Sequence, residues 1–265
     1  MGPPEQAAID ARILAYYGEQ FDEDARLTTR SAQGPLERDR TQELIRRHVA
    51  GGRILDVGGG TGRHAAALVA AGYDVELVDP VPRHVDAARR AGIAASLGDA
   101  RDLARPDDAV DAVLLLGPLY HLARREDRLR ALREARRVTR PGGVVVAAAL
   151  SRLVAFAAVS LGRPTPVPFP EAWVRLLADG TPPEDLRFPA GHFHTEADLR
   201  LEVEDAGLAV REVVGVEGPA GLFLETIADA DPRLADAAAT LADAAATTPG
   251  ILELSAHLLA VAVVP

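Results

Sequence analysis

The stretch Arg53-Ile-Leu-Asp-Val-Gly-Gly-Gly-Thr-Gly-Arg-His64 constrains this chain more than any other. The apolar residues around Asp56 read as a short buried strand, the glycines as a turn, and Arg63 to Ala71 as the helix that follows. Glycine suits such a turn because a Cβ would block positive φ and hold a ligand away from the backbone. The helix that starts there points free N–H groups into the turn, where they favour an anionic or strongly polar ligand. A strand, a glycine turn and a helix in this order form a nucleotide site.

The register of the glycines leaves two nucleotides open. A dinucleotide fingerprint, G-x-G-x-x-G/A directly after the strand, fails from Gly58 because position 63 is Arg. Two residues later, Gly60-Thr-Gly62-Arg-His-Ala65 does match the NAD form. The whole run, Asp56-x-Gly58-x-Gly60-x-Gly62, resembles motif I of the class I S-adenosylmethionine (SAM) methyltransferases.

Four further stretches extend that resemblance. Asp74-Val-Glu-Leu-Val-Asp79 reads as a second strand ending in the carboxylate that, in Rossmann-like folds, accepts the ribose hydroxyls; Pro80 follows it. Gly98-Asp99-Ala100 closes a strand-like run and resembles the family's adenine-binding turn. Val110-Asp-Ala-Val-Leu-Leu-Leu116-Gly117-Pro-Leu-Tyr120-His121 resembles motif IV. Val138-Thr-Arg-Pro-Gly-Gly-Val-Val-Val146 resembles the L-x-P-G-G turn into strand 5, with Val for Leu and one extra residue before Pro. The resemblance implies a Rossmann-like, seven-stranded, mostly parallel α/β sheet with helices on both faces. It implies SAM as methyl-donor cosubstrate, held by Asp56, Gly58, Gly60, Gly62, Asp79, Pro80, Asp99, Ala100, Leu116 and Gly117.

Composition narrows the chemistry. The chain has no Cys, no Lys and no Asn, and all 29 of its basic residues are Arg. That removes disulfides, thiolate nucleophiles, cysteine-held metal, Schiff bases and the P-loop lysine. It also removes the Asn-Pro-Pro-Tyr form of motif IV used on nucleic acid and glutamine. Net charge is −10, against the basic face that a polyanion requires. The one dense basic run, Arg124 to Arg137, is interleaved with Glu126, Asp127 and Glu134 and reads as a solvated helix face. A small-molecule acceptor is expected, with no nucleic acid, no membrane and no metal; a homodimer is left open. With neither a basic start nor an apolar leader, a cytoplasmic protein is expected.

Four parts follow along the chain. Residues 1–50 are expected to form a helical lid with helices over 5–18 and 36–49, Gly34-Pro35 breaking between them. Residues 51–150 alternate strand and helix, which implies a parallel sheet with ligands outside the strands' carboxyl ends. Residues 151–195, rich in Pro and carrying Trp173, Phe169 and Phe188, are expected to cap the site. Residues 196–265 complete the core from a Thr195/Asp198 capping box, with a helical insertion at 218–255.

Methyl transfer from a sulfonium needs orientation more than covalent help, and a base for acceptors that must lose a proton. His121, beside Tyr120 after motif IV, is the candidate base. Tyr16, Tyr17, Tyr120, Trp173, His192 and His194 are candidate lid or substrate contacts, with Arg26 and Arg30 as further contacts to cofactor or substrate. His192-Phe-His194 lacks a third ligand for a metal, and His64 reads as a surface residue. Two alternatives remain: an NAD-dependent oxidoreductase, and a SAM-binding protein that transfers no methyl group.

Overall fold

The computed structural model describes residues 6–20, 23–160, 170–184 and 186–265. Seven strands form one sheet: β1 (Arg53–Val57), β2 (Asp74–Asp79), β3 (Ala94–Leu97), β4 (Val110–Leu115), β5 (Thr139–Leu150), β6 (Ala209–Gly215) and β7 (His257–Val263). Their order is β3-β2-β1-β4-β5-β7-β6, with β1 to β5 parallel and β7 antiparallel to both of its neighbours. The expected mostly parallel sheet is therefore present. Strand order reverses between β1 and β4, and a crevice opens there at the carboxyl ends.

Helices α1 (Gln6–Ala15), α2 (Glu23–Thr28), α3 (Gln33–His48), α4 (Arg63–Ala70), α5 (Pro82–Arg90), α6 (Arg125–Val138), α7 (Arg152–Ser160), α8 (Glu171–Asp179), α9 (Glu196–Asp205), α10 (Gly221–Leu224) and α11 (Pro232–Ala245) surround the sheet. Successive strand residues point to opposite faces, so continuous apolar runs supply two cores at once. On one face Ile54, Leu77, Leu114 and Val146 pack with Leu44, Ile45, Leu68 and Ala88 of α3, α4 and α5. On the other, Leu55, Val113, Val145 and Ala260 pack with Leu129, Leu132, Leu199 and Val203 of α6 and α9. A fully buried Leu or Ile contributes about 1.5–3 kcal/mol, so these two layers hold the sheet.

Helix α9 opens with the expected capping box, in which Thr195 Oγ1 accepts from the Asp198 N–H and Asp198 accepts from the Thr195 N–H. Other boundaries differ from expectation. A short helix, α2, lies between the two expected ones, and Gly34-Pro35 lies inside the first turn of α3 rather than before it. Proline is tolerated in a first turn because its missing N–H has no intrahelical partner there. Glycine is required beside it because a Cβ at position 34 would lie 2.1 Å from the Arg26 carbonyl oxygen.

The insertion that carries α11 packs on α3, where Arg40 donates to Asp243 at 3.1 Å. In the cap, α7 follows β5 directly, a helix the proline pattern hides. Leu176, Ala190 and Phe193 form a satellite core with Trp173 and Phe188. Pro164, Pro166, Pro168 and Phe169 lie outside the described residues. The basic run is not wholly solvated. Arg128 of α6 is buried and forms a two-pronged pair with Glu202 of α9. No described helix is long and apolar enough to cross a membrane.

Candidate active site

A cavity of about 270 Å³ sits at the strand-order reversal. Its floor is the glycine turn. Gly58 follows β1 directly with φ +71°, and a Cβ there would come within 2.9 Å of the Pro118 ring, so the turn and the 3₁₀ segment Pro118–His121 can meet only across a glycine. Asp56 and Val57, Gly58 to Thr61, Asp79 to Val81, Gly98 to Arg101, Leu116 to Pro118 and Tyr120 to Leu122 all line the cavity. The expected cofactor residues are thus gathered at one cavity, with one exception. Gly62 is the left-handed N-cap of α4 and backs onto Ala88 and Leu77.

Asp56 is fully buried, and neither carboxylate oxygen has a hydrogen-bond partner among the described residues. Burial, aided by the nearby Asp79 charge, raises its pKa to about 7. A buried carboxylate left with both oxygens open is costly unless a cation meets it. An ammonium group has the charge and the N–H donors to meet it.

Asp79 is engaged differently. Its Oδ2 accepts from the Gly60 N–H at 2.9 Å, and its Oδ1 from the Val81 N–H at 2.9 Å, with His84 Nδ1 at 3.1 Å. A carboxylate has about four acceptor sites, so one remains for a ribose hydroxyl. Asp99 is held by the Arg101 N–H and guanidinium; burial opposes its ionisation, but those hydrogen bonds prevail and lower its pKa.

The amino-terminal segment closes over this floor. Gln6 donates to the His121 carbonyl at 3.1 Å and accepts from the Ala123 N–H at 2.8 Å. Tyr17, in the π-helical turn Tyr16–Gln20, places its hydroxyl 3.3 Å from His121 Nε2. His121 Nδ1 lies 2.8 Å from the Pro189 carbonyl, to which it donates. Burial lowers the His121 pKa to about 4, so both ring nitrogens of the neutral imidazole are engaged.

Of the candidate lid and substrate residues, Tyr17 and Tyr120 line the cavity, as does Arg26. Tyr16 packs instead against Tyr17 and Phe188. Trp173 belongs to the satellite core. The His192 and His194 rings meet edge to face with centroids 4.5 Å apart, and His194 meets Glu202 at 3.3 Å. Glu202 is the third carboxylate or imidazole that the pair lacks in sequence, but Arg128 occupies both of its oxygens. His64 corrects the sequence reading. It is half-buried, lines the cavity, and lies 3.0 Å from Gln42 through Nδ1.

Sequence reasoning missed Glu37, His84 and His257, which also line the cavity. His84 has a legible signal, since the first turn of a helix five residues after a strand-end acid faces that acid. Glu37 and His257 have none; they come from α3 and β7 and meet only in the fold.

The fold and the cavity define a nucleotide-binding α/β protein whose glycine turn begins at Gly58, directly after its strand. Residues 55–147 match the family model described as a methyltransferase domain. An uncharacterized methyltransferase of Mycobacterium tuberculosis is 43% identical over 93 residues, which cover 34% of this chain and 37% of that relative. The aligned stretch thus spans little more than a third of the relative's length. The ubiquinone biosynthesis O-methyltransferase of Azorhizobium caulinodans is 28% identical over 78% of this chain and 82% of its own. The crystal structure of a SAM-dependent methyltransferase from Thermotoga maritima superposes with a TM-score of 0.63 at 19% identity, covering 96% of this chain and 99% of that one. Residues 55–147 therefore resemble a methyltransferase domain, set in a fold shared with a SAM-dependent methyltransferase of known structure.

Proposed function

We propose that this chain transfers a methyl group from SAM to an O, N or C atom of a small molecule. The observation that carries the reading is Asp56, a buried carboxylate beside the glycine turn without a hydrogen-bond partner among the described residues. Asp56 would meet the ammonium of the cofactor's amino-acid end, Asp79 its ribose and the Gly98–Ala100 turn its adenine. When bound, the cofactor supplies an electrophilic methyl on a sulfonium, with a neutral thioether as leaving group.

The residues around it orient and exclude water. Tyr17, Gln6 and His121 tie the amino-terminal segment to the 3₁₀ segment after β4, closing the cavity from above. Holding two reactants in line this way is worth about 7–11 kcal/mol of the barrier. A cavity of about 270 Å³ and a net charge of −10 favour a small acceptor over a polyanion. The dinucleotide alternative requires the turn to begin at Gly60, whereas β1 ends at Val57 and the turn begins at Gly58, a register in which Arg63 stands where the third glycine would fall.

Calorimetric titration with S-adenosylhomocysteine, with NADH in a parallel cell, tests the reading. Binding of the thioether product and none of NADH is expected; the reverse would transfer the assignment to the dinucleotide class. Labelled SAM with a panel of acceptors then separates transfer from binding alone.

A further inference from the structure

At the cavity's far wall, three chain segments remote in sequence converge on His257. His257 opens β7 and pairs with Leu150 at the carboxyl end of β5, which places its ring at the cavity. Glu217, fully buried just after β6, holds it twice: one carboxylate oxygen accepts from the His257 N–H at 2.9 Å, and the other meets Nδ1. That contact fixes the tautomer, with Nδ1–H donating to Glu217. Nε2 is left 3.8 Å from Glu37, too far for a hydrogen bond. Both Glu37 oxygens are taken by Arg26, at 2.5 and 3.0 Å. The Tyr120 ring stands 6.4 Å away, and Ala148, Val216 and Leu259 supply the apolar wall.

A carboxylate on Nδ1 and an unengaged Nε2 facing a cavity is the orienter–base arrangement used to ionise a bound hydroxyl. His121, with both nitrogens engaged, lacks it. We propose that His257, positioned by Glu217, is the catalytic residue that holds the bound acceptor hydroxyl in its ionised form, and that the acceptor is a weakly acidic hydroxyl compound of the phenol class. This rests on the methyltransferase reading. The acceptor O–H bond breaks, its proton bonds to Nε2, and the oxygen keeps the electron pair that attacks the methyl carbon. The imidazolium charge is balanced by Glu217. Where His257 already carries a proton, the acceptor proton leaves to solvent and the same oxyanion–imidazolium pair results.

The groups facing His257 put the protein at neutral pH on the second of these routes, with the imidazolium already formed. Burial alone would lower its pKa and Arg26 acts the same way, but the carboxylates of Glu37 and Glu217 prevail and raise it to about 9. His64, from α4, is driven the other way by its burial, to about 4, and competes for no proton at neutral pH.

The test uses the full chain saturated with S-adenosylhomocysteine and 4-nitrophenol as probe, whose phenolate is read by its visible absorption. Below the probe's own pKa, the bound probe is expected to ionise. In His257→Gln the ionised fraction should fall roughly tenfold or more, with homocysteine-product affinity unchanged; Glu217→Gln should give a smaller loss. Circular dichroism checks that both variants fold, and Glu217→Gln keeps the test decisive if His257→Gln does not. A bound probe that stays protonated, equal ionisation in the variants, or no probe binding beside S-adenosylhomocysteine would overturn the assignment of His257 alone. Failure of S-adenosylhomocysteine to bind the unaltered chain would overturn the methyltransferase reading, and this one with it.

Discussion

Asp79 Oδ2 accepts a hydrogen bond from the Gly60 backbone N–H at 2.9 Å, so the acid that ends β2 holds the glycine turn that follows β1. The same carboxylate also secures the Val81 N–H and His84. One side chain therefore links two halves of the cavity floor.

An Asp79→Ala variant is accordingly expected to lose more than a ribose contact. It leaves two buried N–H groups unsatisfied, each costing about 1–3 kcal/mol. Thermal melting should show a lowered Tm, and calorimetry should show S-adenosylhomocysteine affinity reduced by roughly tenfold or more. Unchanged melting with reduced affinity would confine Asp79 to the ligand.

Asp56 carries a pH signature of the opposite sign to an ordinary paired carboxylate. Its folded pKa of about 7 exceeds the usual 3.8, so the unfolded chain binds fewer protons between those values. Stability from this group is fully present below about pH 4, falls as pH rises to about 7, and is level above. The cost of ionising it is about 4 kcal/mol. In the ligand-free protein, Asp56→Asn should therefore melt higher than the parent at pH 8, with the difference vanishing near pH 4. The same variant should bind S-adenosylhomocysteine more weakly. Near pH 6 the parent should release a proton on binding, seen as a buffer-dependent enthalpy that Asp56→Asn lacks.

Gly34 is set by a neighbour rather than by its own helix. A Cβ there would meet the Arg26 carbonyl oxygen at 2.1 Å, so Gly34→Ala must push α2 away from α3. Overpacking of this kind costs about 1–3 kcal/mol despite alanine's better helix propensity. Because Arg26 pairs with Glu37, the displacement should also speed amide exchange across residues 23–30, read by mass spectrometry. A variant as stable as the parent would remove the packing argument.

The buried pair Arg128–Glu202 predicts an asymmetric outcome. Burial would raise the Glu202 pKa, but hydrogen bonds from His194 and Arg128 prevail and hold it at about 2. Glu202→Ala strands the Arg128 guanidinium in the core and should cost about 3–5 kcal/mol in denaturant unfolding. Glu202→Ala combined with Arg128→Met should recover much of that loss. If it does not, the pair contributes attraction beyond its own desolvation.

The order of strands and helices between residues 53 and 150 was legible because each signal is local. A strand's apolar run, its glycine turn and the next helix lie within about fifteen residues, where period and turn chemistry decide the conformation. Asp56, Gly58, Asp79 and Asp99 could be placed for the same reason: strand ends of a parallel sheet all face one crevice. Less local features escaped. Gly34-Pro35 looks like a breaker because the carbonyl it must clear belongs to another helix. His192 and His194 look like cavity residues because Arg128, which claims their partner Glu202, lies more than sixty residues earlier.

By itself the sequence determined the nucleotide turn, the doubly covered parallel sheet and the exclusion of thiol and lysine chemistry. Those follow from backbone sterics, hydrophobic period and composition, which need no knowledge of distant contacts. Only the tertiary structure decided that Asp56 has no hydrogen-bond partner among the described residues, that His121 is already engaged, and that Glu37, Glu217 and His257 share one wall. Hydrogen bonding and charge act over a few ångströms in space, and residues 37, 217 and 257 acquire that proximity only when β7 is laid between β5 and β6.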